Sequence, residues 1–394
     1  MKNPKSLAGL FVCLMTLVAL LSACNSSSSS TSDALLHYLQ YIPDTEEYRA
    51  WFSYGNTAAW YEAWDISRPA SPDDILAEAN AAARPYILTI LPEQTVPPIS
   101  LQARNLLSEN QRGFYGFDML NLDSYAQAGQ PPTAITLADF SFDRETIASA
   151  LSQSGYETTP LGDGTLYQLR GDNELDFQAP LATSQFPNLN RIVLVGNQMV
   201  IGSATQVVEQ ALSAQARDVP SLADNPVYVA AEEALADSSL TDWGTLVGVI
   251  LIEGPALPQE PPPQLAEALA DQFATYAAKP LPDFQLAVFA TRQQGQATYL
   301  LLALVLPPGA DAQRTAETLA ERLQTYVSTM RRDTMNDFWQ LETATSLEAN
   351  DLPIALVVMR TAVKTSTDTP NAAAILSWYD MIETRDTLFL VTNR

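Results

Sequence analysis

The sequence predicts an α+β fold in which antiparallel sheets carry helices packed on one face. Two β-hairpins are each followed at once by a helix, which is the pattern of a sheet covered by helices. A regular alternation of single strands and helices is missing, and this argues against a doubly wound parallel sheet. An aromatic-rich segment with helical spacing precedes both hairpin-helix units.

The first hairpin-helix unit lies in the middle of the chain. Ile192–Val195 and Gln198–Ile201 flank the two-residue turn Gly196-Asn197, a turn sequence that favours a tight hairpin. Ser203 and Gln206 have the spacing of a capping box, so we expect a helix to begin there. The apolar face of this helix consists of Val207, Val208 and Leu212.

The second unit repeats this order. Phe284–Thr291 and Thr298–Leu306 flank a turn that contains Gly295, and a long helix is predicted from Asp311. The apolar stripe of this helix consists of Leu319, Leu323, Tyr326, Val327 and Met330. We therefore expect both helices to pack on strands that precede them directly.

Elsewhere the pattern predicts single elements. Ser71 can cap a helix that has Pro72 in its first turn and continues to Ala83, where Arg84-Pro85 ends the pattern. A further helix is expected from Asp143 to Ser154. The other strand candidates are Tyr86–Leu91, Ala134–Phe140, Thr165–Leu169, Leu246–Ile252, Pro353–Met359 and Thr387–Val391.

The first residues have the three regions of a secretory signal. Lys2 and Lys5 precede an apolar run from Leu7 to Leu21, and small residues stand directly before Cys24. Leu21-Ser22-Ala23-Cys24 resembles the lipobox of bacterial lipoproteins. This resemblance implies that residues 1–23 are removed, that Cys24 is lipidated with acyl chains such as palmitate, and that the protein is anchored outside the cytoplasm, on the cell surface or in the periplasm.

Composition divides the remainder of the chain. Residues 24–32 are rich in serine and read as a flexible tether, so the body begins near Asp33. Residues 254–263 contain many prolines and form either a linker or a surface loop. If they form a linker, an α+β domain covers residues 33–253, with the helical segment at its start, and a second α+β unit covers residues 264–394.

Charge and cysteine content exclude several classes of function. The net charge is −24, and removal of Lys2 and Lys5 with the signal would make it −26, so the protein should repel nucleic acid. The two cysteines are Cys13, inside the signal, and Cys24. The mature body therefore has no disulfide, and with His37 as the single histidine it has no conventional zinc site.

A cluster of aromatic residues is the most unusual feature of the sequence. It includes three of the six tryptophans, and such rings are typical either of interface hot spots or of a helical pair packed on a sheet. If they are exposed, they form a partner-binding surface for a protein or a glycan. The candidate residues are Trp51, Tyr54, Trp60, Tyr61 and Trp64.

The stretch from Phe114 to Tyr156 resembles a pattern found in uncharacterised bacterial lipoproteins. The pattern comprises Phe117-Asp118, Leu122-Asp123, Ala128-Gly129-Gln130-Pro131-Pro132, Phe142-Asp143 and Gly155-Tyr156. The resemblance implies the same extracytoplasmic location and an undivided domain here. It implies no activity.

No catalytic motif accompanies these features. His37 has no Gly-x-Ser-x-Gly elbow to complete a serine triad, and Leu161–Thr165 reads as a tight turn without the lysine of a phosphate loop. We therefore predict a lipid-anchored, non-enzymatic binding or accessory protein that needs no cofactor. The alternatives are a structural subunit of an envelope or membrane complex, and a hydrolase that uses paired carboxylates between the two hairpin-helix units.

Overall fold

A computed structural model describes residues 31–95, 97, 109–118, 120, 122–141, 143–176, 189–328, 334–361 and 372–393. The predicted signal (1–23), the lipidation site Cys24 and most of the tether lie outside these residues. Helix α1 (Thr31–Leu39) begins within the last residues of the predicted tether. The body therefore begins slightly before Asp33.

The strands form one antiparallel sheet. They are β1 (Phe52–Asn56), β2 (Leu122–Ala128), β3 (Ile135–Phe140), β4 (Glu157–Leu161), β5 (Gly164–Gln168), β6 (Arg191–Val195), β7 (Gln198–Gly202), β8 (Thr245–Glu253), β9 (Leu286–Gln294), β10 (Ala297–Val305), β11 (Trp339–Ala349) and β12 (Leu352–Thr361). Their order is β11-β12-β10-β9-β8-β1-β2-β3-β7-β6-β5-β4. Strands β4 and β11 are therefore the two edges.

The helices connect and cover these strands. After α1 they are α2 (Glu46–Arg49), α3 (Thr57–Ala63), α4 (Pro72–Leu76), α5 (Leu91–Thr95), α6 (Glu109–Tyr115), α7 (Arg144–Gln153), α8 (Thr205–Gln215), α9 (Pro226–Ala236), α10 (Ala270–Ala277), α11 (Ala312–Thr325), α12 (Met335–Phe338) and α13 (Ala372–Glu383). A π-helix covers Tyr86–Ile90, and short 3₁₀ helices cover Glu78–Asn80, Leu222–Asp224, Ser238–Trp243, Gly254–Ala256 and Leu388–Leu390.

The predicted α+β class is confirmed, but the helices cover both faces of the sheet rather than one. Successive residues of a strand point to opposite faces. In β10, Leu300 and Leu302 belong to one core and Leu301 and Ala303 to the other. Helices α7 and α11 contribute to the first core, whereas α1, α8 and α9 contribute to the second. The central strands β8 and β10 are therefore buried on both faces and read as nearly continuous hydrophobic runs.

Both predicted hairpins are confirmed, together with most single elements. Gly196 has the positive φ of 57° that the hairpin turn requires. The side chain of Asp143 caps α7, and that of Asp311 caps α11. The stripe of α11 is confirmed at Leu319, Leu323 and Tyr326, which are buried, whereas Val327 lies beyond the helix and is exposed. Met330 lies outside the described residues.

Four local predictions are wrong. Ser203 does not cap α8, because its hydroxyl bonds the carbonyl of Pro132 and Asn173 Oδ1 instead. The helix capped by Ser71 ends at Leu76 rather than at Ala83, since the Arg84 guanidinium takes up its last carbonyl groups. The two segments predicted as strands at Tyr86–Leu91 and Thr387–Val391 are helical turns. Short apolar runs do not distinguish a buried strand from a buried helical turn.

The proline-rich segment lies between strands that are neighbours in the sheet. Strand β8 ends at Glu253, directly before it, and pairs with β9, which begins at Leu286. Gly254 N–H bonds the carbonyl of Gln285, which closes the connection at its base.

Candidate functional site

The aromatic residues proposed as a partner-binding surface belong to the core. Tyr54 and Trp60 have no exposed surface, while Tyr61 and Trp51 are 4% and 8% exposed. Trp64 is partly buried and packs against the same core as Trp60. The predicted docking surface is therefore wrong. Trp60 and Trp64 do share a helix face, but this face of α3 is turned toward the sheet.

Gln94, at the end of α5, explains why two indole groups can be buried. Its Oε1 accepts hydrogen bonds from Trp60 Nε1 at 2.6 Å and from Trp64 Nε1 at 3.0 Å. Its Nε2 donates to Gln293 Oε1 at 2.9 Å and to Thr298 Oγ1 at 3.1 Å. Buried polar groups are tolerated when they are paired in this way. The network therefore fastens α3 and α5 to β9 and β10.

The close approach of α5 to the sheet depends on two glycines. Gly55 in β1 and Gly248 in β8 are cross-strand partners. A Cβ atom at these positions would lie 1.9 Å from the Thr95 carbonyl oxygen and 2.0 Å from the Gln94 carbonyl oxygen, respectively. Glycine is required here because no side chain fits between the strands and the helix.

A row of polar side chains crosses the opposite face of the sheet. Asn56, Ser124, Asp139 and Gln198 are successive cross-strand partners on β1, β2, β3 and β7. Gln198 Nε2 donates to Asp139 Oδ1 at 2.9 Å and lies 3.0 Å from Nε2 of His37, which is exposed on α1. The sequence did not reveal this row, because its members come from four separate strands.

The polar row contains one largely buried carboxylate, that of Asp139. Burial raises the pKa of Asp139, while hydrogen bonds from Tyr38 and Gln198 oppose this change. The hydroxyl groups of Tyr38 and Ser124 lie 2.9 Å apart. In the described part of the chain, no serine hydroxyl contacts His37, so the row does not form the triad considered from the sequence. Its geometry fixes α1 on the sheet.

An open cleft of about 530 Å³ lies at one end of the sheet. Because the strands are antiparallel, β8 and β10 end, and β9 begins, at the same end of the sheet. Helix α2 and the start of α9 form the remaining walls of the cleft. The lining residues are Arg49, Asn225, Pro226, Val227, Tyr228, Glu253, Pro255, Asp283, Phe284, Gln285 and Pro307. This volume falls in the range of small-molecule sites.

Arg49 organises the charged wall of the cleft. Its Nη1 lies 2.9 Å from Asp44 Oδ1, and its Nε lies 3.1 Å from Glu253 Oε1. The hydrogen bond that Arg49 donates to the Asp44 carboxylate is the main cause that raises the pKa of Arg49, and the charge of Glu253 adds to it. The other terminal nitrogen, Nη2, has no hydrogen-bond partner among the described residues. It can therefore donate to a group bound in the cleft.

The start of α9 forms a further part of the cleft wall. The Asn225 side chain caps this helix by accepting from Val227 N at 3.0 Å, and its Nδ2 donates to both oxygens of Asp44. Tyr228, which is buried, donates to the Arg49 carbonyl at 3.1 Å. These bonds tie α2 to α9, so the shape of the cleft is fixed before a ligand binds.

Two carboxylates line the cleft, Glu253 and Asp283. Glu253 forms an ion pair with Arg49, which also pairs with Asp44, a residue outside the lining. General acid and base catalysis by two carboxylates needs them to face the scissile bond from two sides. Within the described ranges, no group of three or more His, Cys, Asp or Glu side chains is placed to hold a metal ion.

Comparisons with known proteins do not assign this chain to a family. No protein-family model and no curated protein matches the chain. Crystal form I of a protein designated TP0453 has a TM-score of 0.35 and 9% identity, and the match covers 88% of this chain and 96% of that chain. Crystal form III gives 0.36 and 9%, with 86% and 97% covered. TM-scores this low do not establish a shared fold.

Among the helices that the structure describes, none is both long and apolar enough to cross a bilayer.

Proposed function

We propose that this protein is a lipid-anchored, extracytoplasmic binding or accessory protein without enzymatic activity, and that its ligand or partner occupies the cleft beside Arg49. The anchor rests on the lipobox at Leu21–Cys24. Two acyl chains give stable attachment, at about 0.8 kcal/mol for each buried methylene. The body would then face the space outside the cytoplasm at the membrane surface.

The observation that carries the binding role is the composition of the cleft. Phe284, Val227 and the flanking prolines give it an apolar floor, and Arg49 and Glu253 give it charged groups of both signs. Small-ligand sites combine a largely apolar surface with a few polar groups that fix orientation. The Nη2 group of Arg49 suits a carbonyl or carboxylate oxygen, as found in peptides and acidic sugars.

The test is site-specific photo-cross-linking in intact cells. A photoreactive amino acid replaces Pro255, which is exposed at the rim of the cleft, or Gln215, which is exposed at the end of α8 and serves as the matched control. We expect the same partner or glycan to be captured repeatedly at Pro255 and not at Gln215. Val227→Trp, which fills the cleft, should reduce this capture by about tenfold.

Two outcomes would contradict the proposal. Identical capture at both positions would show that the cleft is not the binding site. A measured turnover that is lost in Glu253→Gln would identify an enzyme instead, and would return the carboxylate hydrolase to consideration.

A further inference from the structure

Strand β11 is the longer of the two edge strands. It has 11 residues and pairs with β12 on one side. Strand β4, at the other edge, has 5 residues. An edge strand presents backbone N–H and C=O groups that can pair with another chain, and proteins usually protect such edges.

The register identifies the backbone groups on the outer side of β11. Leu306 N–H donates to the Pro353 carbonyl, so the backbone of Pro353 faces β10. Glu348, the partner of Pro353 in β11, therefore points its N–H and C=O away from β12. By alternation the same holds for Ser346 and Ala344. Gln313 Nε2 of α11 lies 3.4 Å from the Ala344 carbonyl, which agrees with this assignment.

The two edge strands differ in how well they are protected from pairing with another chain. Strand β4 contains Pro160, which has no N–H to offer to another strand. Strand β11 contains neither proline nor lysine. Its one irregularity is a register shift between Leu341 and Thr343, so the regular stretch runs from Thr343 to Ala349. In this stretch Ser346 and Glu348 are exposed.

The charge beside this edge indicates the chemistry of a partner. Gln313 Nε2 also lies 2.9 Å from Glu317 Oε1, which places this exposed carboxylate next to the outward carbonyl of Ala344. Glu348 adds a second exposed carboxylate on the strand itself. The whole chain carries a net charge of −24. A basic strand is therefore favoured at this edge, and an acidic one is repelled.

We propose that the outer edge of β11, from Thr343 to Ala349, is a docking site for an extended, basic segment of a partner protein, which adds to the sheet as a further strand. Main-chain hydrogen bonds supply the affinity, and lysine or arginine side chains of the partner meet Glu317 and Glu348. A second copy of this chain is disfavoured, because pairing two β11 strands would bring their carboxylates together. The site is separate from the cleft and does not depend on it.

The probe is a fluorescent peptide of about seven residues with alternating lysine and valine, long enough to span the regular stretch. It is added to the detergent-solubilised full chain, and binding is followed by fluorescence polarisation and by hydrogen-deuterium exchange. We expect slower exchange at the amides of Ala344, Ser346 and Glu348. A peptide with glutamate in place of lysine should not bind.

Matched variants separate the edge from general effects. Ser346→Pro removes an outward N–H from β11, and Thr158→Pro removes one from β4, because Thr158 lies two residues before Pro160 and faces the same way. We expect Ser346→Pro to weaken binding by at least about tenfold and Thr158→Pro to leave it unchanged. Combined Glu317→Lys and Glu348→Lys, at exposed positions, should also weaken it and should not disturb folding.

The proposal is overturned if folded Ser346→Pro binds the peptide as the wild type does, or if protection appears away from β11. It also fails if the wild type dimerises through β11, because the occupant is then a second copy. If Ser346→Pro does not fold, the double charge reversal decides, and unchanged binding in that variant rejects the proposal.

Discussion

At the scale of single residues, Gly248 is the position where a small change should have a large effect. Gly248→Ala places a methyl group against the Gln94 carbonyl, where an ideal Cβ would lie 2.0 Å from the oxygen. Overpacking of this kind costs about 1–3 kcal/mol. Chemical denaturation measures the loss. Gly113→Ala is the matched control, because nothing lies within 4 Å of its Cβ position, and its stability should not fall.

A substitution at Gln94 should lower the free energy of unfolding by a similar amount, but for a different reason. Gln94→Met keeps the size of the side chain but leaves the buried Trp60 indole N–H without its acceptor. A buried donor without a partner costs about 1–3 kcal/mol. Gln215→Met, at an exposed helix end, should change the free energy of unfolding very little. Equal effects of the two substitutions would show that the Gln94 network does not stabilise the fold.

Asp139 should make stability depend on pH. Burial raises its pKa above the unfolded value of 3.8, so the folded protein holds the proton more tightly than the unfolded chain does. Its contribution to stability is then fully present below pH 3.8 and is lost as pH rises through the folded pKa. We expect Asp139→Asn to gain stability relative to the wild type as pH rises through this window, measured by denaturation at several pH values.

Asp224 is the control for Asp139, because its pKa is shifted in the opposite direction. Hydrogen bonds from Ser221 lower its pKa, so its contribution is present above pH 3.8 and is lost as pH falls through the folded pKa. Asp224→Asn should therefore lose stability relative to the wild type toward neutral pH. The same slope in both variants would contradict the assignment of these two shifts.

The sequence predicted few of the candidate site residues correctly. The spacing of Trp60 and Trp64 is that of residues on one helix face. It could not show that this face is buried, because the acceptor for both indole groups, Gln94, lies 34 and 30 residues away. The cleft was missed for the same reason, since Arg49, Asn225 and Glu253 come together only through the sheet.

At the scale of elements, local capping signals predicted helix starts where the side chain had no stronger partner. Asp143 caps α7 by accepting a hydrogen bond from Glu145 N at 3.1 Å. Asp143→Ala should lower the free energy of unfolding by about 1 kcal/mol. Gln153→Ala, an exposed position at the end of the same helix, is the control. A loss at Gln153 as large as that at Asp143 would argue against capping.

Other elements were missed because their stabilising contacts are distant in sequence. Strand β1 contains Gly55, and β2 contains Asp123 and Gln127, so neither has a clear apolar pattern. Both are fixed by their neighbours in the sheet. At Ser203 the sequence has the capping-box pattern, but the side chain donates to the Pro132 carbonyl instead of capping α8.

At the scale of the whole molecule, the two halves of the sheet share a connectivity. In each, three consecutive strands (β1–β3 and β8–β10) are followed by a helix, α7 or α11, and the last strand returns to pair with the third. The counterpart of the predicted unit β9-β10-α11 is therefore β2-β3-α7. The two hairpin-helix units predicted from the sequence, β6-β7-α8 and β9-β10-α11, are both present, but the unit β2-β3-α7 was missed because β1 and β2 were not recognised.

The proposed lipid on Cys24 would anchor this body so that it binds its partner outside the cytoplasm. Mass spectrometry of the mature N-terminus tests this anchor most directly. We expect residues 1–23 to be absent and the N-terminal fragment to begin at a diacylglyceryl-modified Cys24, and we expect Cys24→Ser to release the protein from the membrane fraction. An intact N-terminus, or an unmodified Cys24 in membrane-bound protein, would contradict it.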